Sequence, residues 1–205
     1  MKNLIIVCAG GFGKEALDLA QQINEVNTEW EIKGFIDDGI KVGTEIFRGY
    51  KVIGGIKDWN VKDDEYFVLG VAKPQTKEIL YNILKEKGAH FATLINPSVR
   101  IPEETVIGEG CVIVLGWIGM NVKLGKCVNV AGSMIGDSDI EDFSTTTGFA
   151  NVAAAHIGKR VFIGSHAVIL YGRKVGDDAV IGAGSIVISN VKPKITVFGN
   201  PAIEL

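Results

Sequence analysis

Aliphatic residues recur at every sixth position through much of the second half of this 205-residue chain. Ile101, Ile107 and Ile113 begin the series, and Ile157, Ile163, Ile169, Val175, Ile181 and Val187 continue it. A period near 3.6 marks a helix and a period of two marks a strand; six fits neither. It fits a solenoid in which each hexad forms one short face and three faces close one coil. One aliphatic side chain per face then points into a triangular prism. Glycine often follows it, at Gly108, Gly125, Gly158, Gly164, Gly176 and Gly182, where freedom of φ would let the backbone turn the corner. Residues 96–205 are therefore predicted to form a parallel β-helix. The period is lost in NVKPKITVFGNPAIEL (190–205), which is expected to cap the open end.

The middle of the repeat is irregular. Coils begin at Ile107, Leu124, Ile140, Ile157 and Val175, with spacings of 17, 16, 17 and 18 residues. Three full hexads need 18, so residues are missing, with the losses expected near Gly119, Gly136 and Gly148. Two readings stay open: tightened corners, or a reshaped surface groove.

Residues 1–95 carry different periods. Strand-like runs at 4–9, 31–38, 66–72 and 90–97 alternate with amphipathic segments at 13–25 and 76–88. In the first helix Ala16, Leu17, Leu19, Ala20 and Ile23 form the apolar stripe; in the second, Ile79, Leu80, Ile83 and Leu84 do. This order predicts a small, mostly parallel sheet covered by helices, a Rossmann-like α/β half domain.

Gly11-Phe12-Gly13-Lys14-Glu15-Ala16 fits G-x-G-x-x-[GA] directly after a strand and at the start of a helix, the context that motif requires. Glycines allow close backbone approach to a phosphate, and a helix N-terminus offers free N–H groups. Asp37 and Asp38 end the next strand, where a carboxylate can accept from ribose hydroxyls or a base N–H. About 95 residues are too few for the six-stranded dinucleotide fold, so one nucleotide suits this half better than a hydride-transfer cofactor. The simpler reading is a tight turn with acidic caps.

AGGFGKEAL (9–17), GFIDD (34–38), LINPSVRI (94–101), the hexads, IGAGSIV (181–187) and FGNPA (198–202) together resemble the bacterial sugar acetyltransferases that act on sialic acid or UDP-linked amino sugars. The resemblance spans nearly the whole chain. It implies a homotrimer, with acetyl-CoA as co-substrate in the groove between neighbouring β-helices. Thr145, Ala153, Tyr171, Gly172 and Gly184 are the groove candidates it suggests. It also implies a sugar or nucleotide-sugar substrate against Gly10, Gly11, Phe12, Asp37 and Asp38. The family loop usually reads SGHGK; here GGFGK (10–14) removes a serine and a histidine.

The family mechanism uses a histidine to take the proton of the attacking amine or hydroxyl. The family pattern EHDCVIGDF, aligned on Ile140-Glu141-Asp142-Phe143, puts that histidine near Gly136, followed by Asp137. A second family histidine falls at Thr145. Neither is present. His156 is the replacement candidate, expected one coil further along the same face and pointing outward; Asp137 and Asp139 are alternative carboxylate bases. A chain without its base could also be a non-catalytic or regulatory relative that binds a nucleotide sugar.

Other features narrow the choices. A net charge of -3 disfavours a general nucleic-acid surface. LIIV (4–7) is too short for a secretory core, and nothing approaches the roughly 18 apolar residues of a membrane span. Cys8, Cys111 and Cys127 lack C-x-x-C spacing and fit buried thiols in a reducing cytoplasm. Three scattered histidines do not suggest a metal site. Trp117 and Tyr171 could shape the CoA groove or a trimer contact. Arg173 and Lys174 could meet CoA phosphates.

Overall fold

The computed structural model describes residues 1–205. Its first part contains β1 (Lys2–Val7), α1 (Gly11–Val26), β2 (Trp30–Ile36), β3 (Glu45–Phe47), β4 (Tyr50–Gly54), β5 (Glu65–Leu69), α2 (Pro74–Glu86) and β6 (His90–Phe91). The strands form one sheet in the order β3-β4-β2-β1-β5-β6, parallel except for the β3–β4 pair. That hairpin turns at Arg48 and Gly49, both at positive φ, as a tight two-residue connection demands. Its strands are too short for their alternation to stand out in the sequence.

Alternation along β1 divides the domain into two layers. Leu4 and Ile6 face α1, whose Ala16, Leu17, Ala20 and Ile23 are buried against them. Ile5 and Val7 face α2 and join Leu80 and Leu84. The buried stripe of α2 runs through Pro74, Lys77, Leu80, Tyr81 and Leu84. Ile79, expected inside, is exposed, because α2 is wedged between two partners. Its second face packs on the C-terminal half, where Tyr81 stacks on Phe91 and meets Phe143 edge-on.

From Leu94 onward the chain winds as a parallel β-helix. Val106–Ile107, Lys123–Leu124, Asp139–Ile140, His156–Ile157 and Lys174–Val175 stack as the first face. Leu94–Ile95 already belongs to the second face, paired with Val112–Ile113. The third face runs through Ile118, Ile135, Val152, Ile169 and Val187. The interior is one cluster of 24 buried aliphatic residues and small side chains. Burial of each Val or Ile there contributes about 1.5–3 kcal/mol. At the end, Thr196–Phe198 pairs with Val180–Ile181 and folds back on Ile203–Glu204, with Val197 buried.

Backbone pairing reproduces the irregular coil spacings: Ile107, Leu124, Ile140, Ile157 and Val175 are consecutive register partners. The short steps lie at other corners than expected, except at Gly136. They separate Ile113 from Ile118, Val130 from Ile135, Ile135 from Ile140, and Val152 from Ile157. Gly116 and Gly132 take positive φ in the first two.

The glycines after the aliphatics have a different role from the one expected. A Cβ on Gly125 would lie 2.6 Å from the Asp142 nitrogen, and one on Gly164 2.6 Å from the Ala183 nitrogen. They permit one coil to lie against the next. The corners are turned by left-handed residues placed elsewhere, such as Cys127, Phe143, Arg160 and Asp178 along one edge.

The two halves interlock through buried polar contacts. Lys77 is wholly buried and its Nζ donates to the carbonyls of Cys127 (2.8 Å) and Ser144 (2.9 Å). Burial pulls its pKa down to about 7. Thr145 Oγ1 donates to the Ala72 carbonyl and Asn129 Nδ2 to that of Val71. Arg160 joins Glu78 of α2 to Asp178 of the β-helix.

Candidate functional site

One edge of the β-helix, between its third and first faces, carries a left-handed residue in each coil: Asn121, Asp137, Ala154 and Gly172. The Asp137 N–H donates to Met120, that of Ala154 to Gly136, and that of Gly172 to Ala154. Beside this ladder a cavity of about 540 Å³ opens onto the first face. Its lining is almost entirely polar and brings together Asp137, Asp139, His156, Arg173 and Lys174.

His156 points outward, as its place in the hexad requires, but it does not share a face with Gly136. It is in register with Asp139 and Lys174 on the first face, whereas Gly136 pairs with Ala153 on the third. The five-residue step from Ile135 to Ile140 puts the corner between them. His156 Nε2 lies 3.0 Å from Glu141 Oε1. Asp139 and Glu141 project from the same side of their strand; Lys123 neutralises the first at 3.7 Å, leaving the second for the imidazole. The contact is at ion-pair distance without the alignment of a hydrogen bond. Glu141 was not recognised from sequence, because only coil stacking makes the two residues neighbours.

The place over Gly136 is occupied by an indole. A Cβ built on Gly136 would lie 3.1 Å from Trp117 Cζ3, and one on Gly119 2.6 Å from Trp117 Cη2. A side chain at position 136 would have to displace Trp117.

The expected groove residues are dispersed over one protomer. Gly172 lines the His156 cavity, with Tyr171 exposed beside it and Ala153 at the same edge, exposed on the third face. Gly184 turns the edge between the second and third faces at φ +70°. Thr145 is completely buried, and its hydroxyl is committed to Ala72. It lines a second cavity, between the domains.

That interdomain cavity, about 600 Å³, is bounded by Gly11, Phe12 and Glu15 from the glycine turn and by Leu115, Thr145 and Phe149 from the β-helix. Phe149 stacks against His166 at 5.1 Å. Gly10 caps α1 through its carbonyl, which accepts from Lys14. Gly13 is required by packing: a Cβ would lie 2.3 Å from the Cys8 carbonyl. The acids of the next strand are already engaged by backbone. Asp37 accepts from the N–H of Ala9 and of Gly39, and Asp38 from that of Ile56. Burial, reinforced by these two carboxylates, pushes the Cys8 thiol up to about 11.

The fold and these sites define a class: a hexapeptide-repeat β-helix joined to a small, mostly parallel α/β domain. Residues 3–84 match the PglD N-terminal domain family, and residues 154–189 match the bacterial transferase hexapeptide (six repeats) family. A protein of Staphylococcus aureus (strain MRSA252) assigned as an acetyltransferase is 30% identical over 161 residues, 67% of this chain and 74% of the relative. A relative from strain COL is 33% identical over 132 residues, and the match spans 61% of its length. Among solved structures, WeeI from Acinetobacter baumannii AYE is 29% identical, with a TM-score of 0.89 over 100% of both chains. The acetyltransferase domain of PglB from Neisseria gonorrhoeae FA1090, in complex with acetyl coenzyme A, has the same fold: TM-score 0.89, 24% identity, covering 100% of this chain and 99% of that one. The chain belongs to the bacterial hexapeptide-repeat acetyltransferases, in the group that carries a PglD-type N-terminal domain.

Proposed function

We propose that this chain is an acetyl-CoA-dependent acetyltransferase acting on a sugar or nucleotide-linked amino sugar of surface-glycan synthesis. The observation that carries the reading is His156, which lines the polar cavity of a hexapeptide β-helix and lies 3.0 Å from Glu141 outside it. The imidazole, with the Glu141 carboxylate beside it, accepts the proton released as the acceptor amine or hydroxyl attacks the thioester carbonyl, and CoA leaves as the thiol. Asp137 lies in the same cavity as a second carboxylate. Arg173 and Lys174 supply positive charge for the phosphates of CoA.

The nucleotide part belongs at the glycine turn, over Gly10, Gly11 and Phe12, where the interdomain cavity opens. Asp37 and Asp38 order that turn and the loop after β4 through their backbone contacts. Because Gly184 lies on a different edge of the prism from Ala153 and Tyr171, a CoA groove that uses all three takes in a neighbouring copy. The third face beyond its first coil, with Met134, Leu170 and Ile188 exposed, suits the centre of a homotrimer. The reaction is placed in the cytoplasm, where acetyl-CoA is made; no helix of the chain is long and apolar enough to cross a membrane.

The test is release of free CoA thiol from acetyl-CoA with a panel of nucleotide-linked and free amino sugars. Turnover with one acceptor, reduced in His156→Ala, supports the reading. One observation favours a second reading, a nucleotide-sugar-binding relative without catalysis: Trp117 lies against Gly136, near which the resemblance puts the family imidazole. Saturable sugar-nucleotide binding with no thiol release from any acceptor would establish that alternative.

A further inference from the structure

Trp117 is the exposed tryptophan of this chain: 60% of its surface is accessible, whereas Trp30 is buried at 4%. An exposed indole at a fixed position is informative because large apolar side chains favour burial. The outer edge of its six-membered ring lies against Gly119 and Gly136, equivalent positions of two consecutive coils, and a Cβ on Gly119 would come within 2.6 Å of it. Main chain thus backs part of the ring while most of the residue stays accessible.

Trp117 lines a cavity of about 530 Å³ with Ser98, Arg100, Glu103, Glu104 and Met120. An apolar ring beside two carboxylates, a guanidinium and a hydroxyl matches the two kinds of surface on a pyranose. The axial C–H groups of the sugar pack on an aromatic face, and its hydroxyls bond to planar charged groups. The two carboxylates disfavour a phosphate or diphosphate at this position. Glu103 and Glu104, of a residue type depleted at protein interfaces, also disfavour an interface centre here. Glu104 lines both this cavity and the one containing His156, so the two cavities adjoin.

We propose that Trp117 is a platform for the pyranose ring of the acceptor. Treating that sugar as the acceptor rests on the transferase reading; the platform itself does not. In effect, the residue that fills the family base's place binds the sugar.

The test uses the full chain and its own tryptophan emission, titrated with free hexoses, hexosamines and N-acetylhexosamines. At least one should shift or quench the emission saturably. Trp117→Ala should remove the signal and weaken binding of that sugar about tenfold or more by calorimetry, and Trp117→Tyr should restore most of it. Acetyl-CoA affinity and sedimentation behaviour should be unchanged in Trp117→Ala. The proposal is overturned if no saccharide perturbs the wild type, if acetyl-CoA instead of a sugar perturbs Trp117, or if Trp117→Ala changes the oligomeric state. Failure of the wild type to bind acetyl-CoA would instead remove the transferase reading and leave a sugar titration interpretable by itself.

Discussion

His156 Nε2 and Glu141 Oε1 lie 3.0 Å apart across two adjacent coils of the β-helix. If this pair supplies the base, His156→Ala lowers kcat about 10²–10⁴-fold with any acceptor that supports turnover. Glu141→Gln keeps the side-chain shape but loses the charge that orients the ring, so its loss is smaller and falls on kcat more than on KM. Steady-state thiol release on the three proteins decides the matter. Equal kcat in wild type and His156→Ala takes the imidazole out of the chemistry.

Lys77 makes the joint between the halves pH-dependent. Its folded pKa, near 7, is below its ordinary value of 10.5 because burial penalises the charge. Between those values the unfolded chain binds more protons, so this residue's contribution to stability rises as pH increases from about 7 to 10.5. Below 7 both states are protonated and the contribution levels off at its minimum. Lys77→Met removes that slope but leaves the Cys127 and Ser144 carbonyls without their donor. Denaturation midpoints of wild type and variant, followed from pH 6 to 10, should diverge in favour of wild type as pH rises. A constant difference would contradict a buried, titrating lysine.

Gly164 lies against the backbone of the following coil, with Ala183 N, Ala183 Cα and Ile181 O all within 2.9 Å of a hypothetical Cβ. Gly164→Ala should cost about 1–3 kcal/mol through coil separation. Gly184→Ala enters open space and costs only the penalty of its left-handed backbone, about 1–2 kcal/mol. Denaturant unfolding that ranked Gly184→Ala as much the worse of the two would contradict the packing role assigned to Gly164.

The thiols should be unreactive in the folded protein. Burial raises Cys8 to about 11, Cys111 to about 12, and Cys127 further, so little thiolate exists near pH 8. A disulfide reagent should titrate no fast thiol in the native protein and all three after unfolding. A fast native thiol would show that one of these environments opens readily.

Much of the architecture was legible in the chain. The six-residue period of Ile157 to Val187 predicted the β-helix, because each aliphatic is buried independently in its own face and repeats without reference to distant residues. The α1 stripe from Ala16 to Ile23 was equally plain. Ile79 was misread because α2 packs against two partners, and a single helical stripe does not reveal the second. The β3–β4 hairpin escaped notice because its strands are so short. The glycines after each aliphatic were recognised as necessary for the wrong reason: proximity to the next coil is invisible in a one-dimensional pattern.

The candidate site was legible only in part. His156, Asp137 and the glycine turn stood out by residue type and context. The carboxylate beside His156 did not, nor did the indole over Gly136. By itself the sequence determined the coil period, the division into two kinds of structure and the inventory of chemical groups, since these follow from local side-chain periodicity. The tertiary structure decided which of those groups meet. Coils one residue or two short of a full turn carry His156 round the corner from Gly136, stack it beside Glu141 and leave room for Trp117. A shortened corner changes a three-dimensional register without changing any residue's own preference.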